Sequence, residues 1–223
     1  MDPYYQDDYT TLYHADCLQY LDVLDQADVL VTDPPYGYNV KLGLGDGNPR
    51  RGSSPWANTA IRGDESLESR DTVLEAWGKR PAILFGSWKR PKPIGTKAVL
   101  VWDKGLGVGA GDLNLPWKPN WEEIYILGSG FHGHRGTSVL TGHTVVSWAS
   151  KGREHPNMKP VSLMEALIMK CPPGTIIDPF AGSGSTLRAA KNLGRKCIGF
   201  EIEEKYCEIT AQRLAQETLG IFQ

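Results

Sequence analysis

An apolar run, Val29-Leu30-Val31-Thr32, stops dead at Asp33-Pro34-Pro35-Tyr36. Proline fixes φ and has no N–H to donate, so two in succession can extend neither a strand ladder nor a helix. The segment is therefore a strand that ends in a rigid bracket. Asp33 and Tyr36 are held at its tip, where a ligand could meet them. A fold containing this segment must bury a strand and leave its carboxyl end open.

The rest of the chain predicts what surrounds that strand. Residues 12–15 have strand character and 18–26 helical character, ahead of the strand at 28–32. Residues 39–69 are rich in Gly, Ser, Asn and Arg without periodicity, and loops longer than about 12–15 residues are usually functional or disordered. They are expected to form a mobile loop that closes over a ligand. Asp71 is placed to cap a helix with apolar positions Val73, Leu74 and Trp77 at helical spacing. Short buried-type strands follow at 82–85 and 98–102, then a loop-rich section with nine glycines between Gly95 and Gly136 and a strand at 124–127. Pro160 begins a helix over 161–168. A strand at 175–177, a small-residue turn at 178–185, a helix at 186–192, a strand at 197–200 and a final helix complete the order. Strands alternating with helices predict an α/β fold: one doubly wound, mostly parallel sheet covered on both faces, with one antiparallel strand near 121–127. At 223 residues the expectation is a single domain spanning 1–223.

Composition narrows the function classes. No apolar run approaches the roughly 20 residues needed to cross a bilayer, and the acidic, tyrosine-rich start lacks the pattern of a secretory signal. Cys17, Cys171, Cys197 and Cys207 form no CxxC pair, which fits reduced thiols in a cytoplasm. The net charge of −2 argues against a generally basic nucleic-acid binder. It hides a segregation, however. Residues 1–36 hold eight acids and no Lys or Arg, whereas 37–160 hold 17 basic residues against 11 acids. Lys79 to Lys104 carries seven basic residues and one acid, Asp103. That polarity suits a polyanion meeting one side of the molecule, and equally a solvated basic face.

The second informative stretch is Asp178-Pro179-Phe180-Ala181-Gly182-Ser183-Gly184-Ser185-Thr186. Here a buried strand enters a small-residue turn that opens a helix. Glycines admit a ligand close to the backbone, and the helix start offers unpaired N–H groups. Glu201 ends the following strand, where the dinucleotide-binding pattern places a ribose-holding acid. There is no GxxxxGK[ST], and Leu187 stands where GxGxxG needs its third glycine. The pattern is a nucleoside site without the marks of pyrophosphate binding.

Together, DPPY at 33–36 and DPFAGSGST at 178–186 resemble the S-adenosylmethionine-dependent amino-methyltransferases of DNA. Bracket first and cofactor turn last is the order of the permuted class called beta. His155-Pro156-Asn157-Met158-Lys159-Pro160 resembles that class's HPxxKP element. The resemblance spans about residues 10–215. It implies that Asp33, Pro34, Pro35 and Tyr36 are catalytic. Asp33 and the Pro34 carbonyl would accept the two N–H bonds of an exocyclic amine, while Tyr36 stacks on a base taken out of the duplex. It further implies that Asp16, Lys159, Asp178, Phe180, Ala181, Gly182, Ser183, Gly184, Thr186 and Glu201 bind S-adenosylmethionine. Asp16 is equally suited to cap the next helix, and Lys159 to cap local structure.

The substrate implied is double-stranded DNA, with Asp at the head of the bracket favouring adenine N6 over cytosine N4. Arg50, Arg51, Trp117, Lys118 and Arg135 are candidate DNA contacts, and 103–150 the expected target-recognition insertion. Cytosine-5 chemistry needs a Pro-Cys pair, and Cys171-Pro172 is the reverse. His132, His134 and His143 lack the partners of a zinc site, so no metal is expected. A non-catalytic DNA-binding relative and a dinucleotide-dependent oxidoreductase are disfavoured by the intact bracket. A monomer or homodimer is expected, without membrane association, with a cognate restriction endonuclease or a phage origin as open alternatives.

Overall fold

Strands built entirely from buried residues must be covered on both faces. In a computed structural model of the protein, residues 1–38, 41–42, 59–60, 63–105, 114–117, 119–143 and 158–216 are described. The strands are β1 (Tyr5–Gln6), β2 (Thr10–His14), β3 (Val29–Thr32), β4 (Lys41–Leu42), β5 (Thr59–Ala60), β6 (Ala82–Gly86), β7 (Ala98–Asp103), β8 (Trp121–Leu127), β9 (Val139–Leu140), β10 (Ile176–Asp178) and β11 (Cys197–Glu201). The helices are α1 (Glu68–Trp77), α2 (Val161–Ile168), α3 (Ser185–Asn192) and α4 (Glu204–Ala215). Every residue of β3, β6 and β10 is buried.

The main sheet has the order β1-β2-β11-β10-β3-β6-β8-β7-β9. From β2 to β6 neighbouring strands run parallel. β8 lies antiparallel to both β6 and β7, as expected for 121–127. A second reversed strand, β1, hydrogen-bonds along β2 at the sheet edge. Its two residues are too few to show a period in sequence. β4 and β5 form a separate antiparallel pair inside the stretch expected to be a loop, most of which lies outside the described residues.

Side-chain alternation fills two cores. Val29, Val31, Ile83, Phe85 and Ile124 face Leu163 and Leu167 of α2 and Leu187 and Ala190 of α3. Leu30, Ala82, Leu84, Tyr125 and Ile177 face Val23, Leu24, Val73 and Trp77. The doubly wound α/β arrangement is thus present. Two local expectations are corrected. Residues 18–26 form two short 3₁₀ segments, Cys17–Gln19 and Leu21–Gln26, with Tyr20 (φ −137°) interrupting them. A segment that short gains little from α-helical cooperativity. Helix α1 begins at Glu68, whose N–H is accepted by Ser66 Oγ at 3.2 Å, while Asp71 lies inside the helix and pairs with Arg70 at 2.7 Å.

The chain leaves β3 toward β6 on one side and β10 toward β11 on the other, so the two central strands mark the switch point where open α/β sheets bind ligands at their carboxyl ends. The proline bracket, the glycine turn and Glu201 all follow strands that end on this edge. The reversal of β8 brings its first residues, Trp121 and Glu122, to the same edge.

Among the described residues no helix is long and apolar enough to cross a membrane. Close packing at the sheet gives a direct test: a Cβ on Gly86 would stand 2.2 Å from the Tyr125 ring. Gly86→Ala should lower unfolding free energy by about 1–3 kcal/mol, read as a reduced urea midpoint with an unchanged slope; an unaltered midpoint would contradict the packing described.

Candidate active site

The bracket leaves β3 with its acid poised between two partners. Asp33 Oδ1 accepts the Tyr36 hydroxyl at 2.7 Å, and Oδ2 pairs with Lys159 Nζ. The Asp33 side chain keeps 28% exposure, enough for a ligand to reach it, whereas Lys159 keeps 7%. Gly37, with φ +71°, turns the chain away from the bracket. Its N–H donates to Asp64 Oδ1 at 2.8 Å and its carbonyl accepts from Arg90. A Cβ there would lie 2.9 Å from the Ser66 backbone, so the turn demands glycine.

Lys159 is shared. Its ammonium lies 3.3 Å from Glu122 Oε2, and Glu122 Oε1 pairs with Lys104. Two carboxylates and two ammonium groups alternate across the network. Their charges balance, which offsets the desolvation that would expel a single ion. Burial, with the Glu122 charge adding to it and Lys159 opposing, raises the Asp33 carboxyl above the ordinary range. Burial also acts to raise Glu122, but Lys159 and then Lys104 overcome it and hold that carboxyl low.

The glycine turn continues from β10. Asp178 Oδ1 accepts the Thr32 hydroxyl at 2.5 Å and the Phe180 N–H at 3.1 Å. Gly182 (φ +53°) and Gly184 (φ +76°) curve the backbone into α3. A Cβ on Gly184 would strike Thr210 at 2.5 Å, whereas one on Gly182 would meet open space. Glu201 reaches back over this turn, accepting the Gly182 N–H at 2.8 Å on one oxygen and the Glu203 N–H at 2.7 Å on the other. Burial raises the Glu201 carboxyl against these two donors. Asp16 accepts the Leu18 N–H at 3.0 Å, capping the first 3₁₀ segment while its side of the turn faces the same space.

That space is one cavity of about 550 Å³. Asp33, Pro34, Pro35, Tyr36, Glu122 and Lys159 line it together with Asp16, Asp178, Phe180, Ala181, Gly182, Ser183, Thr186 and Glu201. Its volume suits a cofactor-sized molecule. The structure thus unites the bracket with the turn near the other end of the chain. Gly184 stands behind the wall against Thr210 rather than on it.

Residues 121–212, from β8 into α4, match the DNA methylase family of N6/N4 type. Over 99% of its length the chain is 27% identical to the type II methyltransferase M.ScaI of Streptomyces caespitosus, covering 86% of that protein. A local match to the type II methyltransferase M2.DpnII of Streptococcus pneumoniae is 43% identical over 75 residues, 33% of this chain and 27% of that protein. The chain is thus similar to DNA amino-methyltransferases, over its carboxyl-terminal part by the family match and over nearly its whole length by M.ScaI. Solved structures share its fold. M1.HpyAVI in complex with SAM aligns over 93% of this chain and 100% of that one (TM-score 0.65, 22% identity), and the cytosine-N4-specific PvuII DNA methyltransferase over 97% and 90% (TM-score 0.70, 15% identity).

Other expected residues lie apart from the cavity. Trp117 is 77% exposed, in the stretch between β7 and β8. Arg135 is exposed on the segment that leaves the amino-end edge of the sheet, where the His132 N–H donates to the Lys170 carbonyl; it does not join the cavity. Arg50, Arg51, Lys118 and His155 to Asn157 lie outside the described residues. Glu122 and Lys104 escaped sequence reading because a pair of acids in a strand and a basic residue in a glycine-rich stretch carry no motif. Lys159 was placed at the site, but its partner is the bracket acid. The four cysteines are buried and unpaired.

Asp178 supplies a pH test. Burial raises its carboxyl from 3.8 to about 6, against the Thr186 and Thr32 hydroxyls and the Phe180 N–H that lower it. The folded state therefore holds a proton that the unfolded state has lost between about pH 4 and 6. Stability from this group is complete below pH 4 and lost as pH rises through 6. Asp178→Asn should gain on the wild type over that window, by up to about 3 kcal/mol at neutral pH. Melting-temperature differences that stay flat from pH 4 to 7 would sink the assignment.

Proposed function

We propose that the protein methylates an exocyclic amine of a DNA base with S-adenosylmethionine, and that the amine is adenine N6. The observation carrying this reading is the single cavity lined by both Tyr36 and Gly182. One wall offers acceptors for an amine, and the other a nucleoside cradle.

The cofactor fits the residues present. Gly182 is open toward the cavity where a side chain would intrude, and the Asp16 and Glu201 carboxylates stand ready for hydroxyl or ammonium groups. Phe180 offers a ring to an adenine. When bound, the cofactor supplies a methyl group already activated on a sulfonium.

The chain's own work is positioning. An exocyclic amine is a poor nucleophile because its lone pair is delocalised into the ring. Asp33 and the Pro34 carbonyl accept its N–H bonds, drawing the nitrogen toward tetrahedral geometry with its lone pair facing the methyl. Each Asp33 oxygen already accepts one bond and retains a lone pair for the substrate. With an ammonium beside it, the carboxylate serves as an orienting acceptor and would hold the proton that the amine gives up on methylation. Tyr36 presents its ring to the cavity with its hydroxyl tethered to Asp33, in the place for stacking an extruded base.

Aspartate at the head of the bracket supports adenine. The fold likeness to a cytosine-N4-specific enzyme supports N4-cytosine as the second reading. Motif order supports the permuted beta class. Exposed Trp117 and the basic stretch from Lys79 to Lys104 suit contact with DNA, and 103–150 is the region we assign to target recognition.

Incubation of duplex DNA with labelled S-adenosylmethionine, followed by nucleoside digestion and mass spectrometry, should yield N6-methyladenine. N4-methylcytosine would select the second reading, and no transfer would remove both. Asp33→Ala should abolish transfer while cofactor binding persists in calorimetry. Glu201→Ala should weaken cofactor binding by about 1.5–3 kcal/mol through lost charge-assisted hydrogen bonds; an equal dissociation constant would remove Glu201 from that role.

A further inference from the structure

Four segments supply the charges around the bracket: the residue after β3, the residue after β7, the start of β8 and the second residue before α2. Glu122 is their junction. It holds Lys159 with one oxygen and Lys104 with the other, and the Tyr36 hydroxyl lies 3.5 Å from its Oε2. Glu122 is also among the residues that line the cavity. The neighbouring Glu123 is buried and occupied with the Tyr125 hydroxyl, whereas Glu122 turns its carboxylate to the site.

We propose that Glu122 is a positioning residue for methyl transfer, dividing the Lys159 ammonium between two carboxylates so that Asp33 remains an available acceptor for the substrate amine. The proposal rests on the methyltransferase reading. Without Glu122, the Lys159 ammonium has one carboxylate left and settles wholly on Asp33. That contact would occupy the lone pair needed for the amine and draw Oδ2 toward α2. Lys104 fixes the other end, preventing Glu122 from swinging toward the bracket and displacing Asp33 from Lys159. The division therefore depends on both cations.

The groups facing Asp33 set the pH behaviour. Tyr36 donates to it from the bracket itself, and Lys159 pairs with it from the start of α2. Glu122 raises its carboxyl from β8, with Lys104 behind Glu122 from the end of β7. Asp178 on the adjoining β10 is itself raised by the Asp33 charge, and Asp64 faces the Gly37 N–H next to the bracket. Burial does most to raise the Asp33 carboxyl and Lys159 opposes it, while the Glu122 charge adds to the rise. Replacing Glu122 with a neutral amide should let Asp33 ionise at lower pH.

The test compares wild type, Glu122→Gln and Glu122→Asp in two measurements. Carbon-13 NMR titration of the Asp33 carboxyl, assigned through Asp33→Asn, needs no turnover. Methyl-transfer rates across pH, with cofactor affinity from calorimetry, need the activity. Glu122→Gln should shift the Asp33 titration to lower pH and carry the acid limb of kcat with it. It should reduce kcat about 10- to 100-fold while leaving the cofactor dissociation constant within about twofold of wild type, a change under 1 kcal/mol. Glu122→Asp should recover part of kcat and return the limb toward wild type. An Asp33 titration unchanged in Glu122→Gln overturns the proposal, whether or not the rate falls, because a merely structural role would lower the rate without moving the carboxyl. If wild type transfers no methyl group, the functional reading fails separately, and the NMR titration still decides whether Glu122 governs Asp33.

Discussion

One short hydrogen bond ties the two halves of the site. The Thr32 hydroxyl donates to Asp178 Oδ1 at 2.5 Å, joining the last residue of β3 to the last residue of β10. The next residue in one direction is Asp33; in the other, Pro179 opens the glycine turn. Because β3 and β10 are neighbouring parallel strands at the centre of the sheet, this bond fixes the bracket and the turn in one frame. Asp178 is buried at a cost, seen in its raised carboxyl, and that cost is offset by three donors converging on it. The bond can be short because both strands are buried on both faces and cannot shift past one another without opening the core.

Around that frame the fold separates two tasks. The glycine turn, with Glu201 folded back over it, uses backbone N–H groups and a carboxylate to shape a nucleoside-sized recess. The bracket uses rigidity: its prolines hold Asp33 and the Pro34 carbonyl while Gly37 lets the chain turn away. Positioning of this sort suits a reaction whose electrophile arrives activated. The charge network behind the bracket then decides how available Asp33 is. It is built from β7, β8 and α2, segments that contribute little else to the cavity.

Much of this was legible along the chain. The helix expected over 161–168 and the strands expected at 82–85, 98–102 and 197–200, which form over Ala82–Gly86, Ala98–Asp103 and Cys197–Glu201, follow from apolar runs and proline placement. The bracket and the glycine turn were legible because each needs residue types, proline in one case and glycine in the other, that backbone geometry demands locally. What escaped was non-local. The 3₁₀ segments at 17–26 have enough apolar residues for a helix but are cut at Tyr20. At the start of α1, Ser66 Oγ accepts the Glu68 N–H, while Asp71 lies within the helix rather than capping it. Arg135 is basic and beside glycines, yet the direction of β8 carries it to the sheet edge away from the cavity.

The sequence by itself determined the two rigid pieces of the site and the alternation that forces a covered, mostly parallel sheet. Those are consequences of φ restriction and side-chain periodicity, which act over a few residues. Only the tertiary structure decided that Lys159 answers to Asp33, and that Glu122 from a reversed strand shares Lys159 with Asp33 while also holding Lys104. Charge pairing depends on distance in space. A strand order that brings residues 33, 104, 122 and 159 within reach of one another is set by packing two cores against one sheet, and no local pattern records it.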